Sequence, residues 1–414
     1  MKILIIGNGG REHAIACKIS ENKNVEKIYC APGNGGTALM DICENINIMG
    51  IDKLKDFALK EQIDLTIVGP EGELVDGIVD VFKKNGLKIF GPDKKASMLE
   101  GSKTFSKEFM DRYGVKTAEY KTFLNADDAF NYINTCSYPV VIKADGLANG
   151  KGVSICNNYK EAEETIKKFM IDDIFKGSGK KIIIEEFLEG IEASILSITD
   201  GKIIVPFISA KDHKQIYDEN KGPNTGGMGA IAPNPYVTYE VLEDFNENIL
   251  KPTLEGIKKE EFDYRGIIFF GVMITKKGVY LLEYNVRLGD PETQVVLPLM
   301  DSDLVELIKA SLNKELSSFD LKWKNAYSCC VVAVSEGYPG NYKKGFKINI
   351  DKKVNSFIAG ATFKEGDLLT NGGRIICTYA IENNLADSID KAYKEMDKVH
   401  FHGMYFRKDI GKQY

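Results

Sequence analysis

Residues 140–153 read V-V-I-K-A-D-G-L-A-N-G-K-G-V, and the fold of the chain turns on how this glycine-rich stretch is read. A P-loop would place four residues between its first glycine and a G-K-[ST] unit that opens a helix. Here three residues separate Gly146 from Gly150, and the chain continues past Gly152 into β-branched residues. The stretch therefore predicts a hairpin: an apolar strand ending at Lys143, a turn built from Gly146, Gly150, Lys151 and Gly152, and a returning strand. Such a flap can lay backbone N–H groups over a polyphosphate, with Lys143 supplying charge from beneath. A flexible hairpin that binds nothing satisfies the same pattern.

Working toward the N-terminus, residues 1 to about 100 alternate short apolar runs with helix-period segments. The runs are K-I-L-I-I-G at 2–7, V-E-K-I-Y-C at 25–30, D-L-T-I-V-G-P-E at 64–71 and K-I-F-G-P at 88–92. That alternation predicts a parallel, doubly wound sheet, with a ligand crevice at the strand carboxyl ends near Gly7, Gly69 and Gly91. A nicotinamide dinucleotide is opposed by the first turn. G-N-G-G-R-E has Glu12 where the fingerprint G-x-G-x-x-G needs its third glycine. A turn leading into a helix can still cradle an anion through backbone N–H groups.

Working toward the C-terminus, K-I-I-I-E-E-F-L at 181–188 runs an apolar strand into Glu185 and Glu186, a passage able to line an apolar pocket with a few polar groups. The loop from Lys211 to Pro235 is rich in Gly, Pro and Asn, and a long structureless loop in a compact domain is usually functional. At 282–292 the chain reads L-E-Y-N-V-R-L-G-D-P-E. Side chains two apart on a strand share a face, so Glu283, Asn285 and Arg287 project together, opposite Leu282, Tyr284 and Val286. Two oxygen ligands roughly 7 Å apart along the strand suit one hard cation, and the arginine suits a phosphate or carboxylate. A solvated polar strand face is the plain alternative. From Asn325 onward, strands such as Y-S-C-C-V-V-A-V and four glycine turns predict a small α+β or barrel-like cap.

The length of 414 residues implies several domains rather than one core. A net charge of −6 invites neither nucleic acid nor an anionic membrane surface, so any substrate phosphate must be held by a local cluster. Eight cysteines without a C-x-x-C pair, and four histidines, predict free thiols rather than zinc or disulfides. The apolar run Ile3 to Ile6 is too short for a signal peptide or a membrane span, and a cytoplasmic location is expected.

Together these stretches resemble the ATP-grasp ligases and, more narrowly, the phosphoribosylamine-glycine ligase family. The resemblance rests on G-N-G-G-R-E-H-A, A-P-G-N-G-G-T-A, L-T-I-V-G-P-E, L-E-G-S-K, I-K-A-D-G-L-A-N-G-K-G-V, D-H-K, G-P-N-T-G-G-M-G-A, R-L-G-D-P-E-T-Q, T-N-G-G-R and H-F-H-G-M-Y-F-R-K-D-I-G, which span nearly the whole chain. It implies an N-terminal doubly wound domain at 1–102, an ATP-grasp domain at 103–324 with a mobile flap at about 120–190, and a small C-terminal domain at 325–414. It also implies ligation of glycine to 5-phosphoribosylamine using ATP and Mg²⁺ or Mn²⁺, through a glycyl phosphate, with no nucleic acid, membrane or obligatory protein partner.

Carried over by residue, the resemblance makes Glu283 and Asn285 metal ligands. Lys103, Lys143, Gly150, Lys151 and Gly152 would hold ATP phosphates, and Glu185, Glu186, Leu188 and Glu192 the nucleoside. Arg287, Asp290, Glu292 and Asp212 would serve the acyl-transfer chemistry. Gly9, Gly10, Arg11, Gly33, Asn34, Gly35, Pro70, Glu71, His213, Lys214, Asn224, Thr225 and Gly226 would bind glycine or the ribosylamine. Another ATP-grasp ligase joining a different acid and amine is the alternative. The chain departs from several grasp relatives at Gly271, where they carry a further acidic metal ligand.

Overall fold

The computed structural model describes residues 1–148, 152–351 and 353–412, so the expected roles of Gly150 and Lys151 fall outside the described residues. Five parallel strands stand in the order Cys43–Asn45, Lys27–Pro32, Lys2–Gly7, Leu65–Val68, Ile89–Pro92. Ile3, Leu4, Ile5 and Ile6 are all buried, as parallel strands covered on both faces require. This is the doubly wound sheet that the alternation predicts.

The sheet does not stop at the first domain. Strand Ile89–Pro92 pairs antiparallel with the start of Tyr264–Thr275 through Tyr264 to Pro92 and Arg265 to Gly91. That strand pairs in turn with Ile191–Thr199 on one side and Gly278–Asn285 on the other, giving one sheet of nine strands. The strand bearing Glu283 and Asn285 therefore rests on the same rigid sheet as the N-terminal glycine turns.

The flap forms a separate antiparallel sheet in the order Tyr120–Phe123, Ile182–Glu186, Val140–Ala144, Val153–Cys156. The hairpin read from 140–153 is present, with Lys143 opposite Val153. Ile142, Ile182 and Ile184 pack with Ile133, Ile166 and Phe169 into a core of the flap's own.

A third sheet of five strands orders Lys211–Asp212, Gly229–Ala232, Tyr327–Val334, Arg374–Glu382 and Ser356–Ile358. It crosses the boundary expected at 324/325, because two of its strands come from the segment 211–232. The loop expected to be structureless there is instead partly ordered. Gln215–Tyr217 and Lys221–Asn224 form a hairpin, and Arg407, with none of its surface exposed, holds that hairpin from the C-terminal end. Its Nη1 donates to Gln215 O at 3.1 Å and its Nη2 to Asn220 Oδ1 at 3.1 Å, while Asp409 accepts from Nε at 2.8 Å. A partner almost 200 residues away leaves no local sequence signal. All eight cysteines are free thiols, and among the described residues no helix is long and apolar enough to cross a membrane.

Candidate active site

The first glycine turn is shaped by Glu12. Gly7 has φ +123°, a conformation that favours glycine, and the Glu12 carboxylate folds back beneath the turn. Its Oε2 accepts from Gly9 N at 2.5 Å and its Oε1 from Arg11 Nε at 2.6 Å. A Cβ on Gly69 would lie 1.8 Å from Glu12 Oε1, so the carboxylate fills the space where this turn meets the next strand end. The Gly9 N–H that was expected to cradle an anion is thus taken by an internal carboxylate.

Its neighbours are similarly engaged. Asn34 is buried, with Nδ2 directed at Asn8 O, Gly9 O and Ile358 O at 2.8 to 3.0 Å and Oδ1 accepting from Gly36 N and Thr37 N. Its amide ties the glycine turns together instead of offering a free donor. Gly33 and Gly35 continue this turn, Gly33 with φ +72° and Gly35 donating its N–H to Ala361 O at 2.7 Å. Gly10 begins the first helix against Gln294.

Across the cleft, a β-bulge at Leu282 shifts the register between Gly271 and Val272, so that Glu283 pairs with Gly271 and Asn285 with Phe269. Tyr284 and Val286 are buried on the far face. The Lys103 ammonium stands 3.3 Å from Glu283 Oε2. Burial would raise the Glu283 carboxyl, but Lys103, Lys214 and Lys143 together bring it down to about 2, so it is an anion at any working pH. Glu283 and Asn285 offer two hard oxygen donors, and among the described residues no group of three or more His, Cys, Asp or Glu could hold a metal. That donor set fits an ion that keeps most of its coordination for water and phosphate oxygens. A Cβ on Gly271 would meet Glu283 Cγ at 3.4 Å, ordinary contact, so the missing third carboxylate is not excluded by space.

Lys103 opens the helix Lys103–Tyr113, whose N-cap Ser102 accepts from Phe105 N. Asp145, just past the flap strand, locks that start: its backbone O accepts from Lys103 N at 2.9 Å and its Oδ1 from Thr104 N at 2.7 Å. Lys143 lies 2.8 Å from Glu185 Oε2 and donates to Leu282 O at 3.3 Å. Glu185 is buried, so its carboxylate faces lysines and not an open nucleoside pocket. Glu186 is exposed and accepts from Glu119 N at 3.0 Å, Leu188 is half-buried at the linker, and Glu192 pairs with Lys214 at 2.8 Å.

Arg287 is held rather than free. Glu71 Oε2 lies 3.2 Å from its Nε, Glu100 Oε1 2.9 Å from its Nη2, and Asn285 Oδ1 accepts from Nη2 at 3.3 Å. Pro70 caps the short helix that carries Glu71. Asp290 accepts from Gln294 at 2.7 Å and lies 3.2 Å from Arg374, while Glu292 accepts from Ser194 Oγ at 3.0 Å. Asp212 Oδ1 is buried without a hydrogen-bond partner, and desolvation together with Glu292 pushes its carboxyl well above the ordinary range.

His213 was expected to bind substrate, yet its ring is buried, with Nδ1 against Gly229 O and Nε2 accepting from Gly411 N, both at 3.3 Å. Burial lowers it to about 4, so it is a neutral wall residue. Thr225 bonds back to Lys214 O, Gly226 O accepts from Arg374, and Asn224 is exposed at the hairpin end.

Sequence reading overlooked Lys107, Glu100, Ser194 and Arg374. Lys107 gave no local signal: residues two apart on a helix lie on different faces, so Phe105 and Phe109 do not make its own face apolar, and Lys103, Thr104 and Asp111 share that face. Glu100 and Arg374 act across domains and give no local pattern.

Comparison with known proteins agrees with this geometry. Residues 1–100 match the family model described as phosphoribosylglycinamide synthetase, N domain; residues 101–293 match its ATP-grasp (A) domain; and residues 328–413 match its C domain. The chain is 63% identical over 414 residues to a phosphoribosylamine–glycine ligase of Clostridium acetobutylicum, covering 100% of both chains. Its fold matches the crystal structure of phosphoribosylamine–glycine ligase from Thermotoga maritima with TM-score 0.88 and 34% identity, over 99% of this chain and 100% of that one. A biotin carboxylase–β,γ-ATP complex from Campylobacter jejuni shares the fold at TM-score 0.76 and 17% identity, over 97% of this chain and 92% of the other. The chain belongs to the phosphoribosylglycinamide synthetase family of ATP-grasp enzymes.

Proposed function

We propose that the chain joins glycine to 5-phosphoribosylamine using ATP, giving glycinamide ribonucleotide, ADP and phosphate. The observation that carries this reading is the 63% identity to a phosphoribosylamine–glycine ligase along the full length of both chains. Glycine's carboxylate attacks the γ-phosphorus and ADP departs. The amine of phosphoribosylamine then attacks the glycyl carbon, phosphate departs and the nitrogen releases a proton. Side chains supply position and charge in such a sequence, with no protein nucleophile.

In this reading Lys103 and Lys143 hold phosphate oxygens, one from the helix and one from beneath the flap. Glu283 and Asn285 would hold Mg²⁺ or Mn²⁺, which when bound offsets charge across the polyphosphate. Lys214, the Asp290 turn and Glu292 line the side of the cleft nearest the C-terminal sheet, where the acyl phosphate would meet the amine. We take the units as 1–102, 103–324 and 325–414, with the segment 211–232 lending two strands to the C-terminal sheet, and the flap at about 120–190, having its own core, closes over ATP as a body.

The test is ADP release measured with glycine and phosphoribosylamine, and with each omitted in turn. ADP should form only when glycine is present, and formation indifferent to glycine overturns the assignment.

A further inference from the structure

The helix that carries Lys103 carries a second lysine one turn on. Lys107 is 2% exposed, and its Nζ stands 3.3 Å from Glu185 Oε1, while Lys143 stands 2.8 Å from Glu185 Oε2. One carboxylate thus lies between two ammonium groups, with all three side chains no more than 8% exposed. Lys107 is fixed there by a hydrogen bond of 2.7 Å to Thr117 Oγ1, which itself donates to Leu281 O at 2.7 Å. The Tyr120 ring lies 5.1 Å below the ammonium. Glu185 Oε1 has no hydrogen-bond partner, so its link to Lys107 is Coulombic.

The arithmetic of charge explains why the carboxylate needs two partners. With Lys143 alone, the pair would be neutral. Turning that ammonium toward a ligand would then leave Glu185 buried and unpaired, which is costly for a buried carboxylate. With Lys107 in place the cluster carries one net positive charge, and Glu185 keeps a partner whichever way Lys143 turns.

We propose that Lys107 is a positioning residue for Lys143: it neutralises Glu185, so that the Lys143 ammonium is released to the phosphates of ATP. This rests on the reading of Lys143 as a phosphate-holding residue. Lys107 itself touches no substrate. Burial lowers it to about 8, with Glu185 opposing that shift, in keeping with an ammonium held by one anion in a dry site.

Titration calorimetry with ATP on the full chain tests this without turnover. K107M should weaken ATP binding by about tenfold, the scale of a charge-assisted contact, and K107R should keep it. Adding E185Q to K107M should restore affinity, because the carboxylate that needed neutralising is gone. If K107M fails to fold, E185Q compared with K107M/E185Q decides the matter: equal affinities support the inference, and a further tenfold loss overturns it. K107M binding ATP as the parent does, or a double variant as weak as K107M, also overturns it. K143M separates the two readings, since unchanged ATP affinity there removes Lys143 from the phosphate site and with it the basis of both.

Discussion

Glu12 accepts a hydrogen bond from Gly9 N three residues behind it, and the same carboxylate holds Arg11. An anion built into the glycine turn replaces the one that a dinucleotide would bring. The N-terminal sheet therefore has a doubly wound form in which an internal carboxylate stands where the fingerprint's third glycine would be.

Glu12→Gly recreates the third glycine of the fingerprint but should not create a nicotinamide site. It leaves Arg11, 9% exposed at its side chain, without its carboxylate, and stability should fall by roughly 3 kcal/mol, as when one partner of a buried pair is lost. The urea unfolding midpoint reports the loss. Binding of NAD by the variant would contradict this account of the turn.

The contrast between Glu12 and Asn34 shows what the sequence could convey. The missing glycine at position 12 is visible in the string, so a dinucleotide was set aside on local pattern alone. Asn34 reads as a loop residue able to meet a ligand, whereas its amide bonds to residues 8, 9 and 358, and only the third dimension reveals that. The E-x-N strand, the 140–153 hairpin and the parallel sheet were legible because strand period and glycine spacing are local. His213, Lys107 and the fused nine-stranded sheet were not, because burial and cross-domain pairing set their roles.

Glu283→Ala should cut turnover by at least about a hundredfold, the scale of losing one electrostatic catalytic element. Its carboxyl, held to about 2 by three lysines, does not titrate near neutrality, so the deficit should be flat from pH 6 to 9. Steady-state ADP release across that range checks both statements. Unchanged turnover would remove Glu283 from the metal site.

His13 gives an acid-side prediction. Its Nδ1 accepts from Ile358 N at 2.9 Å, and burial lowers it from 6.5 to about 4. Between those values the unfolded chain binds a proton that the folded one refuses, so stability is full above 6.5 and is lost as pH falls toward 4. From pH 7 to 5 the loss from this residue is about 2 kcal/mol by linkage. His13→Asn keeps an acceptor without the titration, so its urea midpoint should decline less over that interval. Parallel declines in parent and variant would show that His13 is not the titrating group.

Arg374 reaches from the C-terminal sheet to Gly226 on one side and to Asp290 on the other. Its Nη1 donates to Gly226 O at 2.5 Å and to Asp290 O at 2.8 Å, and lies 3.2 Å from Asp290 Oδ1. Burial would raise the Asp290 carboxyl, but Arg374 and Arg11 hold it below the ordinary range, so the turn stays anionic. None of these partners lies on the flap or at Lys103, so ATP binding should not feel the loss of the guanidinium. Arg374→Met should therefore lower kcat by about tenfold or more, on the scale of a lost charge-assisted hydrogen bond, while ATP affinity by calorimetry stays within about twofold of the parent. A variant that loses both together would place Arg374 in the stability of the whole cleft, because a residue acting only on the Asp290 turn should change turnover and leave nucleotide binding alone.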